Sequence, residues 1–275
     1  SSRGPAKRWM QRSRRCLVVM ATSFKSIFRD YLSEIKKQLA AMGERPEYRS
    51  SLNGNGQEVP DTGETLRANS EKLNRLLTER RYAESYGPDW RDLRISKLGW
   101  TVPEYERQVV TKYQSLVESG YKEALFSWDN GELSGLNKNQ AIGSSMDGYA
   151  RVGLKEWAKI NEISEGRLSS LLQVNRRQYY LDGSRNYSIP NVVVGRGSLI
   201  LDASMTDKTF TGTPQVRNFL ENSPHMYGRS FIVQPMAIGG SYEVRDYRSN
   251  YRLTVPAFEG AQLPGRYGYK GRGSK

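Results

Sequence analysis

Residues Leu154–Pro190 read LKEWAKINEISEGRLSSLLQVNRRQYYLDGSRNYSIP, and this stretch orders the chain around it. Leu154, Trp157, Ala158 and Ile160 give a first helix an apolar face, which Asn161 and Glu162 interrupt. Ser164, after Ile163, is a good N-cap, and Leu168, Leu171 and Leu172 supply the stripe of a second helix. Asn175 stands where a left-handed C-cap is needed, a conformation Asn tolerates. The β-prone runs Gln178–Leu181 and Asn186–Ile189 flank Asp182-Gly183-Ser184, a strong hairpin signal that stops at Pro190. The pattern therefore predicts a helix-turn-helix followed by a hairpin, with Trp157 buried between the two helices.

Trp157, Ile163, Ser164, Leu171, Arg185, Tyr187, Ile189 and Pro190 fall in an order that resembles the winged helix-turn-helix modules of the excisionase and MerR type. Asn175 departs from the Gly usual after the recognition helix, and the wing holds more Tyr. The resemblance implies that the second helix enters a major groove. Glu165, Arg167, Ser169, Ser170 and Gln173 would then face bases or phosphates, while Arg176, Arg177 and Arg185 hold the backbone. It also implies a DNA-binding regulator or recombination accessory factor of a mobile element.

Around this segment the fold class reads as α+β. The expected organisation is a basic arm (1–21), a helical region (22–150), the helix-turn-helix-like segment (151–190), a β-rich region (191–260) and a basic Gly/Tyr tail (261–275). Phe24 to Met42 recur at helical spacing, and Gly43 ends the pattern. Glu44–Pro60 reads as loop, with Asn53-Gly54-Asn55-Gly56 at its tip. Asp61-Thr62-Gly63-Glu64 caps a second helix striped by Leu66, Leu73, Leu76 and Leu77 that runs out at Gly87-Pro88. A short strand is expected at Leu93–Ile95. Thr101-Val102-Pro103 opens a third helix, which Gly120 either ends or kinks. Asn137–Arg151 is ambiguous, with one helical turn around Met146–Ala150. Beyond Pro190, short β-prone runs at Val192–Val194, Leu199–Leu201, Phe231–Val233, Tyr242–Val244 and Tyr251–Val255 are interrupted by one helix from Thr213-Pro214. Gly195–Ser198 and Gly239–Ser241 read as hairpin turns, since neither has the Lys-Ser or Lys-Thr of a phosphate loop.

The net charge of +13 is concentrated at the ends. Residues 1–25 carry seven basic residues and no acid, and 261–275 carry four and no acid. Eleven of the charges therefore lie in two tails, on a body with 31 basic and 29 acidic residues. Met20 reads as an alternative start, and without residues 1–19 the charge is still +7. In the last stretch Arg266, Tyr267, Tyr269, Lys270 and Arg272 alternate cations with rings that stack on unpaired bases.

One cysteine, Cys16, and one histidine, His225, leave no material for an internal disulfide, a cysteine-pair zinc site or a histidine cluster. The acid pairs Glu104/Glu106 and Asp129/Glu132 lie in a helix's first turn and beside a turn, positions that carboxylates favour without catalysis. No enzyme, cofactor or membrane partner is expected; the expected location is the cytoplasm or a nucleoprotein particle, and not a secreted one. Nucleic acid is the expected partner, DNA or RNA. Two readings stay open: the DNA-binding regulator, and a structural protein of a virion, nucleocapsid or ribosome-associated particle that self-assembles or meets other particle proteins. Tail-borne charge suits the second, and the patterned motif suits the first.

Overall fold

The computed structural model describes residues 29–135, 137–163, 170–179, 185–209, 212–221 and 228–244. Cys16, His225, the Asp182–Ser184 turn, the Tyr251–Val255 run and both basic tails lie outside them. The chain is α+β. It divides into two compact units between Leu76 and Leu77.

In the first unit, helix α1 covers 29–41 and buries Ile35 and Leu39. Gly43, at φ 74°, ends it as the sequence predicts. The segment expected as loop holds a hairpin instead, β1 (Ser50–Leu52) with β2 (Glu58–Pro60). Its turn is held by the Asn53 side chain, which accepts from the backbone N–H of Asn55 and Gln57, both at 2.9 Å. Such a side-chain-built turn can join two short exposed strands that lack a hydrophobic pattern. Helix α2 (Thr62–Tyr86) starts where Asp61 accepts from the Glu64 N–H at 2.9 Å. Its buried Asn69 exchanges two 2.7 Å bonds with the backbone of Glu47, and Thr65 accepts from the Arg49 N–H at 2.9 Å. The segment before β1 is thereby fixed along α2.

The second unit is a five-stranded sheet between helices. Helix α3 (Val102–Asp129) passes through Gly120 without a break. Helix α4 (Lys138–Ile160) begins where Asn137 accepts from the Gln140 N–H. Its last part, Leu154–Ile160, is the first helix that the sequence predicts, whereas Asn137–Arg151 reads as a single turn around Met146–Ala150, because glycines such as Gly148 weaken helix propensity. Packing reverses that cost: a Cβ on Gly153 would stand 2.6 Å from Leu116 of α3, so the glycine lets the helices approach.

The sheet runs in the order β3 (Leu172–Val174), β6 (Val192–Val194), β7 (Leu199–Ala203), β8 (Arg229–Val233), β9 (Tyr242–Val244). A separate hairpin pairs β4 (Gln178–Tyr179) with β5 (Tyr187–Ser188), as the Asp-Gly signal predicts. Neighbours in the large sheet are antiparallel except β7 and β8, which are parallel and joined by helix α5 (Pro214–Glu221). Leu172 and Val174, Val192 and Val194, Leu199 and Leu201, Phe231 and Val233 share the core with α3 and α4. Val216 of α5 joins Ile232, Tyr242 and Val244 in a second cluster. Alternation along the strands separates the two sets. The expected Leu93–Ile95 strand is reduced to a single bridge, Ile95 to Trp100.

The second helix of the expected helix-turn-helix is corrected at its C-terminal end. Residues 164–169 lie outside the described residues, but Leu172–Val174 form β3, paired with Val192–Val194. Three apolar residues fit either period, and the long-range pairing with β6 decides. Trp157 is half-buried rather than enclosed between helices; its ring stacks on Trp100 with centroids 5.7 Å apart.

At the heart of this unit Glu106 is fully buried and accepts from Arg81 at 3.2 Å, from the Tyr86 hydroxyl at 2.9 Å and from the Ser198 hydroxyl. It is no surface carboxylate placed for the helix dipole. Burial opposes the Arg81 charge, but Glu106 together with Tyr82 and Tyr86 more than offsets this, so the guanidinium pKa is raised. Burial, then Glu106, pushes the Tyr86 hydroxyl well above its ordinary value. Gly195, at φ 57°, is required beside this group, since a Cβ there would fall 2.2 Å from the Tyr86 ring.

Two tests follow from these buried charges. Glu106→Ala strands Arg81, and a loss of roughly 3–5 kcal/mol is expected in urea unfolding. Burial also raises the carboxyls of Asp147 and Asp202, against the pull of Arg151 and Lys208 respectively. A raised native pKa makes this contribution complete below the unfolded value, near 3.8, and loses it as pH climbs through the native value. Asp147→Asn, which can still accept from Asn191, should therefore gain melting temperature relative to the parent as pH rises from acid to neutral. A constant difference between the two melting curves at every pH would contradict this assignment.

Candidate nucleic-acid interface

The sequence-predicted contact residues separate into three groups. Glu165, Arg167 and Ser169, together with Arg266, Tyr267, Tyr269, Lys270 and Arg272, lie outside the described residues. Ser170 is half-buried and accepts from Arg196 Nε at 3.3 Å. Gln173, Arg176, Arg177 and Arg185 belong to one region, the end of β3 and the β4–β5 hairpin.

That region is built from a sharp reversal. β3 ends at Asn175, whose φ of 55° is the left-handed conformation expected of it, although a strand precedes it and not a helix. Its N–H donates to the Asn191 carbonyl at 2.9 Å, closing the ladder with β6. The chain then turns through Arg176 and Arg177, both exposed, into β4. Gln178 Nε2 donates to Gln173 Oε1 at 2.8 Å and fastens the hairpin to the end of β3.

Tyr179 and Tyr187 are directly opposite in the hairpin, so their side chains share a face. Their rings meet edge to face, with centroids 5.8 Å apart and planes at 65°. The Arg177 guanidinium lies over Tyr187, 4.6 Å from the centroid. A hydrogen bond to Tyr179, then the electrostatic influence of Tyr187, raises the Arg177 pKa. Tyr179 is 57% exposed and Tyr187 41%, large fractions for aromatic rings on paired strands. Exposed Ile189 follows, and Arg185 precedes β5 at the surface.

Two concave stretches adjoin the hairpin. One is lined by Gln173, Asn175, Arg176 and Arg177. The other lies between α4 and β3 and is lined by Lys155, Ala158, Leu172, Gln173, Val174, Asn175 and Arg176. Among the described residues, no acidic side chain lines either. The arrangement offers cations for phosphates and exposed rings for bases. Arg176, Arg177 and Arg185 were identifiable from the sequence as cations of the region. The Tyr179–Tyr187 face was not; the signal was two tyrosines each four residues from Gly183, which a hairpin centred there puts opposite each other. Lys155 joins the surface only because α4 passes beside β3.

Among the described residues, no three His, Cys, Asp or Glu side chains come together as metal ligands, and no helix is long and apolar enough to cross a membrane. No protein-family model, curated protein or solved structure matches the chain.

The reversal at Asn175 sets a conformational requirement that substitution can measure. Asn175→Gly should be close to neutral, whereas Asn175→Val should cost roughly 1–2 kcal/mol in urea unfolding, because a β-branched residue resists the left-handed region. Equal stabilities for the two variants would contradict a left-handed Asn175.

Proposed function

We propose that this chain is a non-enzymatic protein that binds single-stranded nucleic acid within a nucleoprotein particle, with the β4–β5 hairpin as its folded contact surface. The observation that carries the reading is the exposed Arg177–Tyr187–Tyr179 stack beside Arg176. Unpaired bases stack on such rings irrespective of their identity, while neighbouring guanidinium groups neutralise phosphates. The basic tails support the same reading: counterion release rewards them on any polyanion, without a fixed geometry.

Duplex reading through a recognition helix is the less favoured function. The helix expected to enter a major groove gives way to β3 by Leu172, and Gln173, assigned to base contact, is paired with Val193 in the sheet. The hairpin, read as a wing in the resemblance to excisionase-type modules, carries the contact in this proposal.

Fluorescence anisotropy with labelled single-stranded RNA, single-stranded DNA and duplex DNA, at several salt concentrations, tests it. Single strands should bind more tightly than duplex. Tyr187→Ala should weaken single-strand binding by about 1–3 kcal/mol. Arg176→Ala should lower the salt slope by about 0.7. Tighter duplex binding that is indifferent to Tyr187→Ala and Arg177→Ala would overturn the proposal.

A further inference from the structure

The outer edge of β3, which no described strand covers, carries an inference separate from the hairpin. β3 is the terminal strand of the five-stranded sheet, and no described strand pairs with its other side. The Gly195 N–H donates to the Leu171 carbonyl at 2.7 Å, and the Asn175 N–H to the Asn191 carbonyl. Antiparallel alternation therefore directs the backbone groups of Gln173 to Val193. The N–H and C=O of Leu172 and Val174 then point away from the sheet, and both residues line the groove beside α4.

That groove has what an added strand requires. One wall is the edge of β3, and the other includes Lys155 and Ala158 of α4. Ala158, Leu172 and Val174 give it apolar lining. Lys155 and Arg176 are exposed, and neither forms an ion pair among the described residues. A strand's side chains alternate, so small apolar residues can face inward while carboxylates face the two cations.

We propose that the β3–α4 groove is a docking site for an extended acidic peptide of a protein partner, which adds to β3 as a sixth strand. The occupant is argued from charge: Lys155 and Arg176 are both cations, which a Glu- or Asp-bearing strand complements. A nucleic-acid strand cannot continue a backbone ladder. The site thus differs in chemistry from the hairpin stack and stands whether or not the hairpin binds bases.

The test uses the full chain and fluorescein-labelled peptides that alternate glutamate with valine. The acidic peptide should bind, a lysine–valine peptide should not, and Lys155→Glu should weaken the acidic peptide about tenfold or more. A version of the acidic peptide N-methylated at alternate residues, in either register, should lose binding, which separates ladder formation from charge attraction. The double variant Arg177→Ala/Tyr187→Ala should bind the acidic peptide as the parent does. Absence of binding by the acidic peptide, or undiminished binding of both N-methylated versions, would overturn the proposal.

Discussion

The second unit depends on one buried carboxylate. Glu106 lies on α3 and takes its partners from elements far apart in sequence: Arg81 and Tyr86 from α2, Ser198 from the turn between β6 and β7. A charge without water is tolerated only when such partners are all in place. The carboxylate therefore makes the positions of α3, the part of α2 from Leu77 onward and a strand turn interdependent, all within the second unit. Gly195 belongs to the same constraint, because only a residue without a side chain leaves room for the Tyr86 ring. Apolar packing around it supplies bulk stabilisation, but packing alone tolerates small sliding motions better than a satisfied ion pair does.

Local chemistry was readable wherever it acts within a few residues. Gly43, Asp61 and Thr101 mark helix ends that are found where expected; Glu104 accepts from both the Thr101 N–H and its hydroxyl at 2.9 Å. The strands after Pro190 and the Asp-Gly hairpin were equally legible. What failed depends on distant partners. Leu171 and Leu172 have helical spacing with Leu168, and only Val192–Val194, some twenty residues on, make Leu172 a strand residue. The three glycines of α4 argue against a helix until Leu116 is seen against Gly153. Glu106 looked like one of many first-turn acids because no sequence pattern marks a carboxylate that will meet Arg81.

The candidate surface was half legible for the same reason. Its cations stand out in sequence, and Arg176-Arg177 is conspicuous beside Asn175. Its geometry comes from the Asn175 reversal, which carries the hairpin away from β3, and from the Gln178–Gln173 bond that fastens it there. A face of two tyrosines and an arginine can lie open on this hairpin because the main core is already closed on the other side of the chain by α3, α4 and the strands.

The parallel pairing of β7 with β8 bears on how the chain reaches this structure. β6 and β7 are joined by a tight turn, so their ladder forms within a short loop. Leu199 is instead opposite Arg229, thirty residues later, with α5 in between. Closing so long a loop costs entropy before any strand contact repays it. The second cluster depends on that closure, since Ile232 of β8 must arrive before Val216, Tyr242 and Val244 can enclose it. During synthesis, the α3–α4 pair and the β6–β7 ladder can assemble early, while the α5 face of the sheet must wait for β8 and β9 to emerge. The second cluster is therefore completed after the ladder of β6 and β7.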